Sequence, residues 1–590
     1  MNKNIQERLA SAIQHPSSLL FLFSLFALVP LTAPGYFIYA HDARHSVYFL
    51  QMFDAAVRDG AWYPRWAADM TFGYGYPLWL TLAPLPFYIG ESFHLVGFDF
   101  VSAVKVVDGL ALFCSALTMY LFASRVLGKH AGLVAAIAYV YIPYHLVDLY
   151  VRAAQAELLA FVFPPLIFWA FNELATTRQP RYIAAIALSY ALLLLAHISM
   201  AVLFTPVIGA YMIFLLFATR PSSPGFKFQV SGFIRQGLTF ATAIALAIGL
   251  AAIFLLPVVF EQLRYLTSDP LIGGFFNYRK HFLNAAQLFS PFWGYGYAGE
   301  NGNDQFSLQL GLIPVLLAFV AVGSVRRVTG AMRWHILFFA LIASVIAFAT
   351  LPIAAPIWEV FASVVAFVQF PWRLLIVTAF ALAFLCGAAL HAFAENARDL
   401  TSAFAIILIF IAANYAYTQP QFTDAVFNYQ TQMEFETKDG ELLGDTIWMT
   451  GERPKDSPLV AQYINGEKLQ KAIALDDGAA VETIRYGGQS TDVRVNANAP
   501  TRVLVYTRYF PGWMATIDDQ RVEPEPYGDQ GLILVRVPVG SHIVRLRFED
   551  TPIRQIGAVI SGLSLLFVVC LVPLLAKFEK FAIIGSEIRR

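Results

Sequence analysis

Residues 18–45 run SLLFLFSLFALVPLTAPGYFIYAHDARH, an apolar stretch that ends in a polar heptapeptide. Residues 18–38 are nearly all apolar and are long enough to cross the bilayer core as one helix, which takes about 20 residues. No small-residue cleavage pattern follows, so we expect a retained membrane anchor and not a signal peptide. The chain then leaves the membrane through His41 and Asp42 and enters a long loop rich in aromatic residues.

The composition extends this prediction to the whole chain. Of 590 residues, 58% are hydrophobic and 14% are charged, and the formal net charge is zero. These values indicate a polytopic α-helical membrane protein with one sizeable polar insertion, and they give no general attraction to nucleic acid. Cys114, Cys386 and Cys570 all fall inside apolar stretches, so they predict neither a disulfide framework nor a metal site.

Hydropathy predicts twelve transmembrane helices. Their ranges are 18–38, 103–123, 132–149, 157–175, 181–196, 199–217, 236–257, 308–325, 335–352, 373–393, 401–418 and 555–577. Prolines or a glutamate interrupt two further apolar stretches, 76–97 and 353–371, which we predict to be interfacial or re-entrant.

Charge sets the orientation of these helices. If the N-terminus is cytoplasmic, every predicted cytoplasmic segment is basic. These segments carry Lys3 and Arg8, Arg125 and Lys129, Arg178 and Arg181, Arg220 and Arg235, Arg326 and Arg327, Arg398, and the C-terminal Lys577, Lys580, Arg589 and Arg590. Both termini are then cytoplasmic, while the loops 39–102 and 258–307 and the insertion 419–553 face outside.

The chain divides into three segments. Residues 1–418 form a transmembrane domain, and residues 554–590 form a last helix with a basic tail. Between them, 419–553 is polar and ends in alternating runs such as Leu532 to Val537 and His542 to Phe548, which are typical of strands. We predict a small β-sandwich outside the membrane.

Asp42 is the first candidate for chemistry. A carboxylate at a helix exit, under an aromatic loop, could deprotonate an acceptor hydroxyl as a general base, with His41 beside it. On a helix, His41 and His45 would share a face and could bind a metal together with Asp42, although two histidines and one acid are a weak metal signal. The alternative is a helix-end carboxylate that faces water.

Three further groups lie on the predicted outer side. The stretch from Tyr144 to Arg152, with Glu157, is either a polar cap with an Arg152–Glu157 ion pair or a substrate-binding turn. The loop 258–307 could bind the phosphate of a lipid carrier or anchor to headgroups; its candidates are Arg264, Tyr278, Arg279, Lys280 and His281. His197 lies at a tight turn on the same side, and Arg373 follows Trp372 at the start of a span, where interface anchoring is the alternative to ligand binding.

Several motifs together resemble a known family. They are Asp59-Gly60-Ala61-Trp62-Tyr63-Pro64-Arg65-Trp66, Gly73-Tyr74-Gly75-Tyr76-Pro77-Leu78, Tyr150-Val151-Arg152-Ala153-Ala154-Gln155-Ala156-Glu157, Gln369-Phe370-Pro371-Trp372-Arg373 and Tyr509-Phe510-Pro511-Gly512-Trp513. Across most of the chain they resemble a bacterial multispanning family labelled 6-pyruvoyl-tetrahydropterin synthase-related. Nothing in the chain resembles the soluble pterin enzyme.

That family looks like a branch of the GT-C superfamily of membrane glycosyltransferases, which includes oligosaccharyltransferases and protein O-mannosyltransferases. The resemblance implies a bacterial inner-membrane enzyme that moves a sugar from a polyprenyl-phosphate-type donor to a glycan, lipid or protein acceptor at the outer face. It also gives Asp42 the position of the essential acid in the first external loop. Many members have two adjacent acids there, whereas this chain has His41 before a single Asp42, so a divalent metal ion is a possible cofactor only.

Two other functions remain open at this point. A transporter or flippase for lipid-linked glycans would carry ionisable residues at mid-membrane and matched broken helices. Most charges in this sequence lie instead at span ends, which favours chemistry at the surface. A non-catalytic assembly protein would bind a partner through the outer domain, and Asp42 would then be dispensable.

Overall fold

The computed structural model of the protein describes residues 16–37, 40–218, 226–267, 272–393, 400–439 and 445–571. Among the predicted positions, Tyr39 lies outside these residues, and so do the basic residues Lys3, Arg8, Arg220, Arg398, Lys577, Lys580, Arg589 and Arg590.

The transmembrane part is helical, as predicted. By length and composition, eight helices of the described residues can cross a membrane: Phe100–Leu127, Gln155–Thr177, Ile198–Ala218, Gly232–Leu250, Gly330–Ala349, Pro371–Phe393, Leu400–Thr418 and Pro552–Cys570. A ninth is possible if Lys129–Tyr141 and Pro143–Arg152, which are bent by 43°, form one span. Three shorter apolar helices complete the set: Ser18–Thr32, Arg181–Ala196 and Leu312–Gly323. Each of the twelve predicted ranges overlaps one of these helices.

The first helix ends earlier than predicted. Its α-helical part is Pro16–Leu28, followed by the 3₁₀ turn Val29–Thr32. Pro34 and Gly35 prevent the helix from continuing, because proline lacks the amide donor and glycine adopts a φ of +74°. Residues Tyr36–Phe37 (β1) instead pair with Phe422–Thr423 (β2), which connects the helix exit to the segment that leads into the β-domain.

The helices alternate in direction, so their connections gather at two ends of the bundle. At one end, which we call the basic end (125–129, 173–181, 324–333 and 391–393), Arg125 pairs with Glu173 and the guanidinium of Arg327 donates to the carbonyl of Ala392 at 3.0 Å. At the other end, the loop end, lie Asp42, the connection 148–157, His197 and the start of the Pro371–Phe393 helix. The described basic turns thus share one end, as the orientation argument requires; which end faces the cytoplasm stays a prediction.

Short helices fill the loops. They are Ala43–Arg58, Met70–Gly73, Leu85–Leu95, Ala252–Pro257, Leu263–Tyr265, Ala285–Phe289, Ala355–Val360, Ala362–Val365, Tyr429–Asp439 and Pro458–Asn465. The two interrupted apolar stretches, 76–97 and 353–371, are built from such short pieces at the loop end.

The β-domain is a two-sheet sandwich. Its strands are β3 Ala472–Ala474, β4 Ala479–Tyr486, β5 Ser490–Ala497, β6 Thr501–Arg508, β7 Trp513–Ile517, β8 Gln520–Val522, β9 Glu525–Tyr527, β10 Leu532–Val537 and β11 Gly540–Phe548. One sheet has the order β3-β6-β10-β9 and the other β4-β5-β11-β7-β8, all antiparallel. Alternate apolar residues of both sheets, such as Val495, Val505 and Val535, are buried between them. The predicted fold class, a polytopic helical membrane protein with a small β-domain, is confirmed.

Acidic residues of the first loop attach it to this sandwich. The carboxylate of Asp59 accepts from Arg485 at 2.6 Å, from the backbone amide of Gln489 at 2.9 Å and from the Ser490 hydroxyl at 2.9 Å. Asp69 accepts in the same way from the hydroxyls of Tyr486 and Tyr463. Both acids are therefore structural, and their partners lie more than 390 residues away in the sequence.

Candidate functional site

Asp42 is fixed by its backbone and not by its side chain. Its amide donates to the carbonyl of Arg152 at 2.8 Å, and the amide of His41 donates to the carbonyl of Val151 at 3.2 Å. Its own carbonyl accepts from the Ser46 amide at 3.0 Å and so begins the Ala43–Arg58 helix. The Asp42 side chain is exposed, and its carboxylate has no hydrogen-bond or ion-pair partner among the described residues. The structure therefore holds a free carboxylate at a fixed position.

The segment that holds Asp42 is a broken helix. Pro143 begins the short helix Pro143–Val147, and a π-helical turn, Asp148–Arg152, follows. Ala153 then adopts a left-handed conformation (φ 47°, ψ 39°), which ends the turn, and the next helix begins at Gln155. Asp148 and Arg152 are four residues apart, so their side chains meet on one face of the turn. The chain changes direction at Ala153, which brings the side chain of Glu157 back to Arg152. Single π turns of this kind occur frequently at functional sites.

Four ionisable side chains form what we call the buried charge cluster: Asp148, Arg152, Glu157 and Arg373. Arg152 contacts Asp148 and lies 2.9 Å from Glu157, and Arg373 lies 3.4 Å from Glu157. The exposed fractions of these side chains are 0% for Asp148, 4% for Arg152, 1% for Glu157 and 12% for Arg373. Two cations and two anions balance each other, as burial of charge requires. The predicted Arg152–Glu157 pair is present, but in the protein interior and not as an exposed cap.

Aromatic and strained residues surround this cluster. The Tyr144 hydroxyl donates to Glu157 at 2.7 Å, and Arg152 lies over the Trp372 ring at 4.8 Å. Arg373 donates to the carbonyl of Val368 at 2.8 Å and to the side chain of Gln369 at 2.9 Å. Gln369 has φ 67° and ψ −45°, a rare and costly conformation for this residue type. Backbone strain of this kind concentrates at functional sites, and here it orients Arg373.

His197 also belongs to this region. It lies at the turn between the Arg181–Ala196 and Ile198–Ala218 helices, within electrostatic reach of Glu157, Arg152 and Arg373. Its Nδ1 atom is buried without a hydrogen-bond partner among the described residues. A buried donor or acceptor that lacks a partner is costly, so this atom is a candidate ligand contact.

His41 joins the loop 258–307 to Asp42. Its Nε2 lies 2.9 Å from the carbonyl oxygen of Gly296, so that nitrogen carries the proton and donates. The ring stacks on Tyr297 at 4.9 Å. Burial lowers the pKa of His41 and outweighs the opposing effect of the Asp42 carboxylate, so the imidazole is neutral at pH 7. Through these contacts His41 connects the Asp42 backbone to the loop 258–307.

The predicted metal set does not converge. His41 precedes the Ala43–Arg58 helix, so it does not share a helix face with His45. The imidazole of His41 contacts Tyr297 and Phe306, whereas that of His45 contacts Phe49 and Phe435. Within the described parts of the chain, no group of three or more His, Cys, Asp or Glu side chains is placed to hold a metal ion. The participation of a divalent ion stays a prediction.

The predicted basic loop is neutralised by acids. The guanidinium of Arg279 makes two hydrogen bonds to Glu359, at 2.7 and 2.6 Å, and Lys280 pairs with Glu300 at 2.8 Å. The Tyr278 hydroxyl also donates to Glu359, at 2.9 Å. His281 is buried and contacts the carbonyls of Gly299 and Phe275 at 3.2 and 2.5 Å. To contact Arg279 or Lys280, a phosphate would have to displace Glu359 or Glu300 or bind beside them.

Arg264 lies elsewhere. Its guanidinium covers the Tyr265 ring at 5.3 Å, and that ring stacks on Trp448 at the base of the β-domain. No hydrogen bond or ion pair of the described residues joins Arg264 to Asp42 or to the buried charge cluster. The predicted site residues thus fall into a group beside Asp42, a paired group on the loop 258–307, and Arg264 at the seam with the sandwich.

Asp148 and Trp372 lie in stretches that were named from the sequence: Asp148 inside the turn from Tyr144 to Arg152, and Trp372 beside Arg373 at the start of a span. Neither was singled out as a site residue, although Asp148 has a four-residue spacing to Arg152. The strain at Gln369 has no signal in the sequence. The site thus offers an exposed carboxylate beside a buried group of two cations and two anions. Such a carboxylate is suited to proton abstraction from a polar substrate.

Comparison with known proteins gives a family and distant structures. A family model described as "6-pyruvoyl-tetrahydropterin synthase related domain; membrane protein" matches residues 82–421, more than half of the chain. An uncharacterized protein from Lactococcus lactis subsp. cremoris (strain MG1363) is 25% identical over 252 residues, which cover 41% of this chain and 40% of that protein.

Two cryo-EM structures of the mycobacterial arabinofuranosyltransferase AftD are also similar. One, of a mutant form, has a TM-score of 0.46 at 15% identity, and the other has a TM-score of 0.44 at 14% identity. Each match covers 71% of this chain but only 30% and 28% of the respective AftD chains. The chain therefore spans less than half the length of these related proteins.

Proposed function

This chain belongs to the family of membrane proteins described as 6-pyruvoyl-tetrahydropterin synthase related. Because that family looks like a branch of the GT-C superfamily, we propose that the protein is a membrane glycosyltransferase. It moves a sugar from a polyprenyl-phosphate-type lipid to an acceptor hydroxyl at the outer face of the bacterial inner membrane. The acceptor is a glycan, a lipid or a protein.

One observation supports this proposal above all. The exposed carboxylate of Asp42 has no partner among the described residues, yet its backbone is bonded to Arg152, a member of the buried charge cluster. A structural carboxylate would normally be paired or would cap the helix that it precedes, and Asp42 does neither. A free acid on a rigid support is what a general base requires.

In the proposed reaction, Asp42 accepts the proton of the acceptor hydroxyl. The hydroxyl oxygen attacks the anomeric carbon of the donor sugar and forms the new glycosidic bond. The bond between that carbon and the phosphate oxygen breaks, and the lipid phosphate leaves with the electron pair. Arg373, the most exposed cation of the cluster, stabilises the developing charge on the phosphate. Arg279 and Lys280 contribute if the donor displaces their acidic partners.

A second function has specific support. The broken helix around Asp148–Arg152 and the buried charges beside it are also features of transporters. All members of the cluster, however, lie where helices end or begin at the loop end, and not halfway along a span. This location favours chemistry at the membrane surface over passage through the bundle.

The two functions are separated in proteoliposomes. The purified protein is given a short-chain polyprenyl-phosphate sugar labelled in the sugar, together with a crude acceptor fraction, and both sugar transfer and movement of the donor between leaflets are measured. The enzyme hypothesis predicts labelled acceptor without movement of the donor between leaflets. Donor movement without transfer would overturn it in favour of a flippase.

A further inference from the structure

A groove of about 660 Å³ lies where the first helix ends and the Phe100–Leu127 helix begins. Its volume falls within the range of about 300–1,000 Å³ that is typical of small-molecule sites. Apolar side chains line one part of it, among them Leu28, Leu31 and Val106. Polar groups line the other part, among them Thr32, Ser102 and Lys105. The site described above does not use this groove.

The groove opens on the side of the bundle that faces lipid. The side chains of Val29, on the first helix, and Leu110, on the second, are exposed on either side of it. Exposed apolar side chains on two apolar helices contact acyl chains in a membrane protein. Because both helices reach the loop end here, the polar part of the groove lies at the depth of the lipid headgroups.

Lys105 supplies a positive charge at this level. Its ammonium donates to the carbonyl of Ala33 at 2.5 Å and lies 5.5 Å from the Phe422 ring. One of its three donors is used in this way, so others are available to a ligand. The nearest acid in the lining, Asp99, caps its own helix, because its carboxylate accepts from the amide of Ser102 at 2.9 Å and from its hydroxyl at 2.6 Å. The polar part of the groove therefore suits an anionic head group.

Buried side chains connect the wall of this groove to the candidate site. Behind Lys105, the buried carboxylate of Asp108 accepts from the Tyr36 hydroxyl at 3.2 Å and from the Gln155 amide at 3.3 Å. Gln155 follows Arg152 of the buried charge cluster by three residues. Burial, then the carboxylate of Asp108 and more weakly that of Asp42, raise the pKa of Tyr36, so the Asp42 charge acts on this wall.

We propose that this groove binds the lipid donor by its phosphate and its first prenyl units. The phosphate contacts Lys105, and the chain lies against Leu28, Leu31 and Val106. The inference rests on the proposed function, because it takes the lipid to be the glycosyl donor and not a bulk anionic phospholipid. Lys105 then binds the lipid phosphate, the role predicted from the sequence for Arg279 and Lys280.

Gly109 offers a way to fill the groove. A Cβ built on it would lie 3.5 Å from Leu31 and 3.8 Å from Leu28, which are ordinary contact distances, so Gly109→Leu projects into the groove without a backbone clash. Gly209, inside the Ile198–Ala218 helix, has no atom within 4 Å of such a Cβ. Gly209→Leu therefore adds the same side chain to a membrane helix without touching the groove and is the matched control.

The test measures photo-crosslinking of a diazirine-bearing C15 prenyl phosphate to the purified full-length protein in nanodiscs. The labelled peptides are identified by mass spectrometry. We expect labels in residues 28–35 and 99–109, a loss of at least about tenfold in apparent affinity for Gly109→Leu, a smaller loss for Lys105→Gln, and wild-type binding for Gly209→Leu. A tenfold excess of phosphatidylglycerol should not compete.

Each other outcome has a defined meaning. Wild-type labelling of Gly109→Leu, or labels confined to other helices, would overturn the groove. Equal competition by phosphatidylglycerol would overturn its assignment to the donor. If Gly109→Leu loses binding but wild type transfers no sugar, the glycosyltransferase proposal fails while the groove stands as a prenyl-phosphate site. If Asp42→Asn abolishes transfer but Gly109→Leu binds the prenyl phosphate normally, the glycosyltransferase proposal stands and the groove is not the donor site.

Discussion

Replacement of Arg152 by Met would test how the buried charge cluster supports the site. Arg152 is shared by the carboxylates of Asp148 and Glu157, whose side chains are 0% and 1% exposed. Arg373 would remain 3.4 Å from Glu157, but Asp148 would lose its only ion-pair partner among the described residues. Removal of one member of a buried ion pair costs about 3–5 kcal/mol, because the remaining charge is left uncompensated. We expect Arg152→Met to lower the free energy of unfolding by that amount.

A double variant separates charge from packing. Arg152→Met with Asp148→Leu removes both members of one pair and leaves Glu157 with Arg373. Apolar replacement of a complete buried pair is often neutral, so we expect stability to return to within about 1–2 kcal/mol of wild type. Arg494→Met is the matched control, because Arg494 and its partner Glu482 are 48% and 54% exposed. An exposed pair contributes about 0–1 kcal/mol.

The assay is unfolding of the purified protein in mixed micelles by titration with SDS, followed by tryptophan fluorescence and by resistance to protease. The predicted order of stability is wild type, Arg494→Met, the double variant and, well below them, Arg152→Met. A loss below about 1 kcal/mol for Arg152→Met, or a double variant as unstable as the single one, would refute the electrostatic reasoning.

Three further predictions concern the loops and the orientation. Glu359→Gln frees Arg279 from its bidentate partner. If Arg279 binds the donor phosphate, the affinity for the donor should rise by a few-fold to about tenfold. An unchanged donor titration would remove Arg279 from the site. Burial, with a contribution from a nearby carboxylate, raises the pKa of Glu91 to about 7 from 4.5. The neutral form of Glu91 therefore stabilises the folded state fully below about pH 4.5, and this stabilisation is lost as the pH rises through 7. The melting temperature of the wild type should fall between these two pH values, and that of Glu91→Gln should fall less. In a cysteine-free background, an impermeant thiol reagent on intact cells should label Asp519→Cys in the sandwich and not Thr329→Cys at the basic end; the opposite pattern would invert the topology.

Hydropathy predicted the helical architecture well, because a bilayer requires apolar length in every span. The end of the first helix was less predictable. Pro34 and Gly35 are a local signal for the end of the helix, which the hydropathy range 18–38 did not take into account. The strand at Tyr36 and Phe37, by contrast, depends on pairing with β2, almost 390 residues away.

The candidate site was predictable in part. A free acid at Asp42 and an ion pair from Arg152 to Glu157 follow from local sequence. The burial of that pair does not, because Arg373 arrives from a helix more than 200 residues later. In the same way, no local signal showed that Glu359 would neutralise Arg279 or that Asp59 would bind the sandwich. A single sequence does not show which distant residues the tertiary structure brings into contact.

The most direct measurement of the central claim is sugar transfer by Asp42→Asn. Asn keeps the size of Asp and its backbone bonds to Arg152, but it cannot accept the proton. Turnover of a lipid-linked sugar should fall by roughly 10²–10⁴-fold, the usual contribution of a positioned base, while folding and donor binding stay intact. Asp54→Asn is the control, because that carboxylate is already paired with Arg58 at 2.6 Å, and it should retain most activity. Turnover of Asp42→Asn at the wild-type rate would contradict the proposed mechanism.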